Sequence, residues 1–134
     1  MNNKQKYEKW LEMAEDDLST AEFMFDAGRN TYVAFMCEQA IEKLVKGIFV
    51  LNLNKEAPYT HNINLILDKI QSISEIPKYN DYKTFINELV MYYTASRYDV
   101  YKEKISKNLD KENTERIMLK SKEVFLWLKS QVKF

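Results

Sequence analysis

From Tyr7 onward the apolar residues Trp10, Leu11, Ala14, Leu18, Ala21 and Phe25 recur every three or four positions, the period of one helix face. This predicts a first helix over roughly 4–27, closed by Gly28, because glycine adopts the left-handed conformation that ends a helix at little steric cost. Asn30 and Thr31 both offer a side-chain oxygen to cap a second helix. That helix continues without proline through YVAFMCEQAIEKLVKGIFVLNL, with Ala34, Cys37, Ile41, Leu44, Val45 and Ile48 on its main apolar face. Gln39, Glu42, Lys43 and Lys46 cluster opposite, and Tyr32, Phe35, Met36 and Val50 extend that second face at its ends. A helix apolar on so much of its surface belongs at the centre of a core, with its polar cluster facing a groove.

The segment NKEAPYT reads as a loop, and Thr60 is placed to cap a short helix carrying Ile63, Ile66, Leu67 and Ile70. After the break SISEIPKYND, the residues Tyr82, Phe85, Ile86, Leu89, Val90 and Tyr93 mark a fourth helix that starts near Asn80 or Asp81 and ends near Arg97. Residues 99–112 alternate charges with few apolar anchors, and Ile117, Val124, Phe125, Leu128 and Val132 define a last helix. Short connections force neighbouring helices to run antiparallel, so the expected fold is an all-α, up-and-down bundle of four to five helices in one domain spanning 1–134.

Composition narrows the class further. Only 2 Gly and 2 Pro occur in 134 residues, too few for the turns of an all-β protein or for glycine-rich phosphate loops. No run of 18 apolar residues is present and the N-terminus lacks an apolar signal core, which makes the cytoplasm the expected location with no membrane partner. Cys37 is the single cysteine, without a second one for a disulfide or a zinc pair. The net charge of zero hides an asymmetry: residues 1–27 carry 3 Lys and 7 acids, whereas 97–134 carry 10 basic and 6 acidic residues. The two ends are therefore able to lie side by side, within one chain or across two. Seven Phe and nine Tyr exceed what a small bundle needs inside, and the surplus points to a homodimer.

His61 is the only histidine, which closes any mechanism passing a proton between two imidazoles. Beside Thr60 it is expected to make a capping or loop hydrogen bond. Glu38 and Glu42 share a flank of the second helix, where Glu42 and Lys46 are spaced for an ordinary ion pair on a solvated face. The acids Glu12, Glu15, Asp16 and Glu22 lack the two histidines that a di-iron bundle needs, so no metal and no cofactor is expected. Arg97 stands out as one of three arginines beside 17 lysines, with Tyr92, Tyr93, Tyr98 and Tyr101 around it. A guanidinium grips a phosphate at two points and stacks on an aromatic ring, but it also suits the C-terminus of a helix. Spacing leaves both roles open.

Three blocks give the chain a family resemblance. The first is Trp10-Leu11, Ala14, Asp17-Leu18 and Ala21, closing with Gly28 and Tyr32; the second is the run from Cys37 to Leu44 with Lys46; the third is Ser96-Arg97-Tyr98. His61-Asn62-Ile63 with Leu67 adds to them. In order and spacing they resemble the HEPN domain family (higher eukaryotes and prokaryotes nucleotide-binding). The resemblance implies a helical bundle that pairs into a dimer, often beside a small nucleotidyltransferase in toxin-antitoxin-like systems. Active relatives cleave RNA with an arginine followed four to six residues later by a histidine. Here Arg97 is present, but Lys102, Glu103 and Lys104 occupy the histidine positions, and Asp99 stands where many relatives have proline.

Lysine, with an ordinary pKa near 10.4, is a poor base at neutral pH, so phosphate binding outlasts catalysis in such a site. The expected function is thus binding of a nucleotide, an RNA end or a nucleotidyltransferase partner without cleavage. Arg97, Tyr98, Lys43, Lys46 and Lys102 are the expected ligand-binding residues, with Gln39 and His61 accessory. The alternatives are a weak metal-independent ribonuclease toxin, using His61 or Lys102 in place of the missing histidine, and a structural dimerisation module.

Overall fold

The computed structural model describes the backbone of all 134 residues and the side chains of 1–98 and 103–134. Seven helices follow one another: α1 (Asn3–Asp26), α2 (Asn30–Leu53), α3 (Ile63–Asp68), α4 (Gln71–Ser74), α5 (Pro77–Ser96), α6 (Asp99–Asn108) and α7 (Lys111–Ser130). The all-α bundle is as expected. The short helix α3 is also as expected; the count is higher because the break after it holds one more helical turn, α4, and because the charged stretch after Arg97 is itself helical. Ile105 and Leu109 are enough to anchor that stretch in the core.

Local chemistry sets the ends. Asn2 and Gln5 form a capping box on α1, each side chain accepting from the other's backbone N–H at 2.8 and 3.0 Å. Gly28 takes φ +73°, and Arg29 N–H donates to Met24 O at 2.8 Å while Gly28 N–H donates to Phe25 O at 3.0 Å, which closes α1 and turns the chain straight into α2. Three expected caps lie elsewhere. The residue at the N-cap of α2 is Arg29, without a side-chain bond, and Asn30 Nδ2 instead donates to Leu109 O at 2.7 Å, tying α2 to the end of α6. Asn62, not Thr60, caps α3 by accepting from Leu65 N–H at 3.2 Å. α5 begins at Pro77, three residues before Asn80, because proline is pre-set for the first helical position.

α2 is the central element, packed against α1, α5 and α7. Its Ala34, Cys37, Ile41, Leu44, Val45 and Ile48 are buried as the pattern predicts. The opposite charges of the chain ends meet within one chain: Lys129 of α7 pairs with Glu15 of α1 at 2.9 Å, and Lys122 with Glu22 at 2.7 Å. Among the described residues no helix is long and apolar enough to cross a membrane.

Candidate functional site

The polar side of α2 is not solvated. Glu38 and Glu42, one turn apart, are 0% and 4% exposed, held inside by the packing of α2 between α5 and the 54–62 loop. The expected ion pair is present, with Lys46 Nζ donating to Glu42 Oε2 at 3.2 Å, but it is buried rather than on a solvent face. The signal was in the sequence: positions 34, 38, 41 and 45 share one face, so Glu38 is a carboxylate on an apolar stripe. Burial, with the neighbouring Glu42 carboxylate next, pushes the Glu38 carboxyl up to about 9. Gln39 Nε2 donates to Glu38 Oε2 at 2.8 Å, while Glu38 Oε1 is buried without a hydrogen-bond partner.

The loop 54–62 brings His61 over this pair. His61 does not cap a helix; its Nδ1 lies 2.8 Å from Glu42 Oε1 and its Nε2 lies 3.2 Å from Tyr93 Oη on α5. An ionised carboxylate only accepts, so the Nδ1–H donates to Glu42 and Nε2 is left to accept from the Tyr93 hydroxyl. Arg97, at the C-cap of α5, donates from Nη1 to the same Tyr93 oxygen at 3.3 Å, and its guanidinium lies 5.6 Å from the ring centroid. The chain of donors therefore runs from Arg97 through Tyr93 and His61 to Glu42. Burial pushes the Tyr93 phenol up, against the pull of the Arg97 charge. Phe35 of α2 stacks on Tyr93 at 5.3 Å between centroids and completes an aromatic wall.

Arg97 opens onto a cavity of about 480 Å³ between the start of α2, the end of α5 and α6, lined by Tyr32, Phe35, Ser96, Glu103 and Ser106 among others. Among the described residues no carboxylate stands within ion-pair distance of the guanidinium. Tyr98 lines a different cavity, of about 460 Å³, with Val90, Met91, Tyr92 and Ile105 between α5 and α6. Lys43 turns toward α1, where its Nζ is 2.6 Å from Asp17 Oδ2. Lys46 and Gln39 belong to the carboxylate pair, and Lys46 also reaches a groove of about 550 Å³ that holds Lys6, Lys9 and Lys55. Lys102 lies outside the residues whose side chains are described.

The structure thus joins Arg97, His61 and Lys46 through Tyr93 and the buried Glu42, and sets Gln39 on the neighbouring Glu38. It turns Lys43 to Asp17 and sets Tyr98 in the neighbouring cavity. Comparison with curated proteins and with solved structures gives no match. The sequence profile of the HEPN domain matches residues 7–131. With that match over nearly the whole of an all-helical chain, the protein belongs to the HEPN domain family, a nucleotide-binding and ribonuclease-like family.

Proposed function

We propose that this domain binds the phosphate of a nucleotide or an RNA end at Arg97, without cleaving it. The observation that carries this reading is a guanidinium held by Tyr93 at the mouth of a 480 Å³ cavity walled by Tyr32 and Phe35. A phosphate accepts charge-assisted hydrogen bonds from the guanidinium, and the exposed ring of Tyr32 offers a stacking surface for a base. Lys43 contributes through α1 rather than through the ligand, since Asp17 already holds it.

The test is titration of ATP, GTP and a short RNA onto wild type and Arg97→Ala. Binding weakened at least about tenfold in the variant is expected, from the loss of charge-assisted bonds; equal binding by both proteins overturns the role of Arg97.

One observation favours a second reading. His61 stands one hydroxyl away from Arg97 with its Nδ1 turned to a buried carboxylate, the arrangement of a general base beside a phosphate-gripping arginine. In that reading the domain is a weak ribonuclease, and RNA cleavage by wild type that disappears in His61→Ala decides for it.

The exposed side chains of Phe23, Leu119 and Leu126 support pairing of two copies, which light scattering checks. Association with a nucleotidyltransferase, as family members show, belongs to the same proposal; co-expression and co-purification test it.

A further inference from the structure

We propose that Glu38, Glu42 and His61 form a binding site for one divalent transition-metal ion of the zinc class. One ligand atom from each residue lies within 4.8 Å of the others, at the meeting of α2 and the 54–62 loop. The arrangement around them is that of a built site. Each of the three side chains has one polar atom held by a neighbour. Gln39 holds Glu38 Oε2 at 2.8 Å, Lys46 holds Glu42 Oε2 at 3.2 Å, and Tyr93 holds His61 Nε2 at 3.2 Å. Partners of this kind fix the orientation of metal ligands and the tautomer of a ligating histidine. The remaining atoms are Glu38 Oε1, without a donor, and Glu42 Oε1 and His61 Nδ1, which bond each other at 2.8 Å.

Glu38 Oε1 is buried with no donor and meets the Glu42 carboxylate, so either a shared proton or a cation has to stand between the two acids. Glu38 is fully buried, and its Oε1 has no hydrogen-bond partner, a state that costs about 1–3 kcal/mol for an ordinary polar group and more for a charge. Donors bound tetrahedrally at about 2.0–2.2 Å to one ion stand about 3.3–3.6 Å apart. Glu42 Oε1 and His61 Nδ1, 2.8 Å apart, exchange their hydrogen bond for the ion by parting about half an ångström, and the Glu38 carboxylate lies within 4.8 Å of both. Imidazole favours zinc, iron, nickel or copper over magnesium and calcium, which prefer all-oxygen shells, and two carboxylates offset the charge of a divalent ion. On loading, His61 keeps its one proton, moved to Nε2 and donated to the Tyr93 oxygen, and Glu38 releases any proton it holds to solvent. Three protein ligands leave coordination positions open on the half-exposed side of His61.

The experiment is isothermal titration of Zn²⁺ and of Mn²⁺ into the chelator-stripped full-length chain, as wild type, Glu38→Gln and His61→Ala, with melting temperatures recorded beside it. Wild type is expected to bind one equivalent of Zn²⁺ and to melt higher with it. Both variants are expected to bind at least about tenfold more weakly and to lose the shift. Gln keeps the shape of Glu38, and His61 sits in a loop, so at least one variant retains the fold. Absence of a one-to-one transition in wild type, or unchanged binding in a folded variant, overturns the site and leaves a proton on Glu38 as its only occupant. No nucleotide enters the titration, so its outcome is independent of the reading of Arg97.

Discussion

The backbone of Gly47 in α2 runs so close to Trp10 of α1 that a Cβ built on it falls 2.7 Å from Trp10 Cβ. The neighbour is the stem of the indole rather than a flexible tip, so the two helices themselves have to part to admit a methyl group. Gly47→Ala gains about 1 kcal/mol of helix propensity and loses about 1–3 kcal/mol to overpacking. The expected outcome is a net destabilisation of about 1 kcal/mol, read from denaturant midpoints; a variant more stable than wild type contradicts the close approach.

Lys43 and Asp17 bridge α2 and α1 in a partly buried pair at 2.6 Å. Lys43→Met removes the cation and leaves Asp17 with a desolvated carboxylate. A loss of about 1–2 kcal/mol in stability is expected, with nucleotide affinity changed less than about twofold. A fall in affinity with no change in stability assigns Lys43 to the ligand instead.

In the presence of a chelator, Glu38 makes stability depend on pH in a defined direction. Its carboxyl is pushed up to about 9, whereas the ordinary value is 4.5, so over the interval between them the folded chain holds a proton that the unfolded chain has released. Unfolding free energy therefore falls as pH rises from about 4.5 to about 9, and the contribution is fully present only below that interval. The groups facing it are Glu42, Lys46 and His61, and subtracting the profile of Glu38→Gln isolates Glu38 from them. A difference profile that is flat or rises with pH rules out the raised carboxyl.

Cys37 is fully buried, and burial pushes its thiol up to about 11. Alkylation by iodoacetamide at neutral pH is expected to proceed only through opening of the bundle, at a rate that follows denaturant concentration. Fast labelling of the native chain contradicts this burial.

Much of the fold is legible in the sequence because α1, α2, α5 and α7 each carry an apolar face at helical spacing, and Gly28 marks the first turn without ambiguity. α6 is harder to read, since its anchors among the described residues are Ile105 and Leu109 and the charges around them carry no period. Caps are misread where a tertiary bond takes the side chain, as Leu109 O takes Asn30. At the site, Arg97 is legible as an unusual arginine among lysines at a helix end. The partnership of His61 with Glu42 is not, because it depends on the path of an irregular loop between positions 19 residues apart. Tyr93 passes for one more core aromatic until its hydroxyl is placed between Arg97 and His61.

The irregular path of the 54–62 loop also determines how the site lives in time. His61 is the only contribution of that loop to the cluster, whereas both carboxylates ride on the most deeply packed helix. Lifting the His61 end of the loop breaks the two hydrogen bonds of one imidazole, while Asn54 stays tied to Asn3 of α1. A contact that clamps Tyr59 or Thr60 from outside is thereby coupled to the placement of His61 over the two acids.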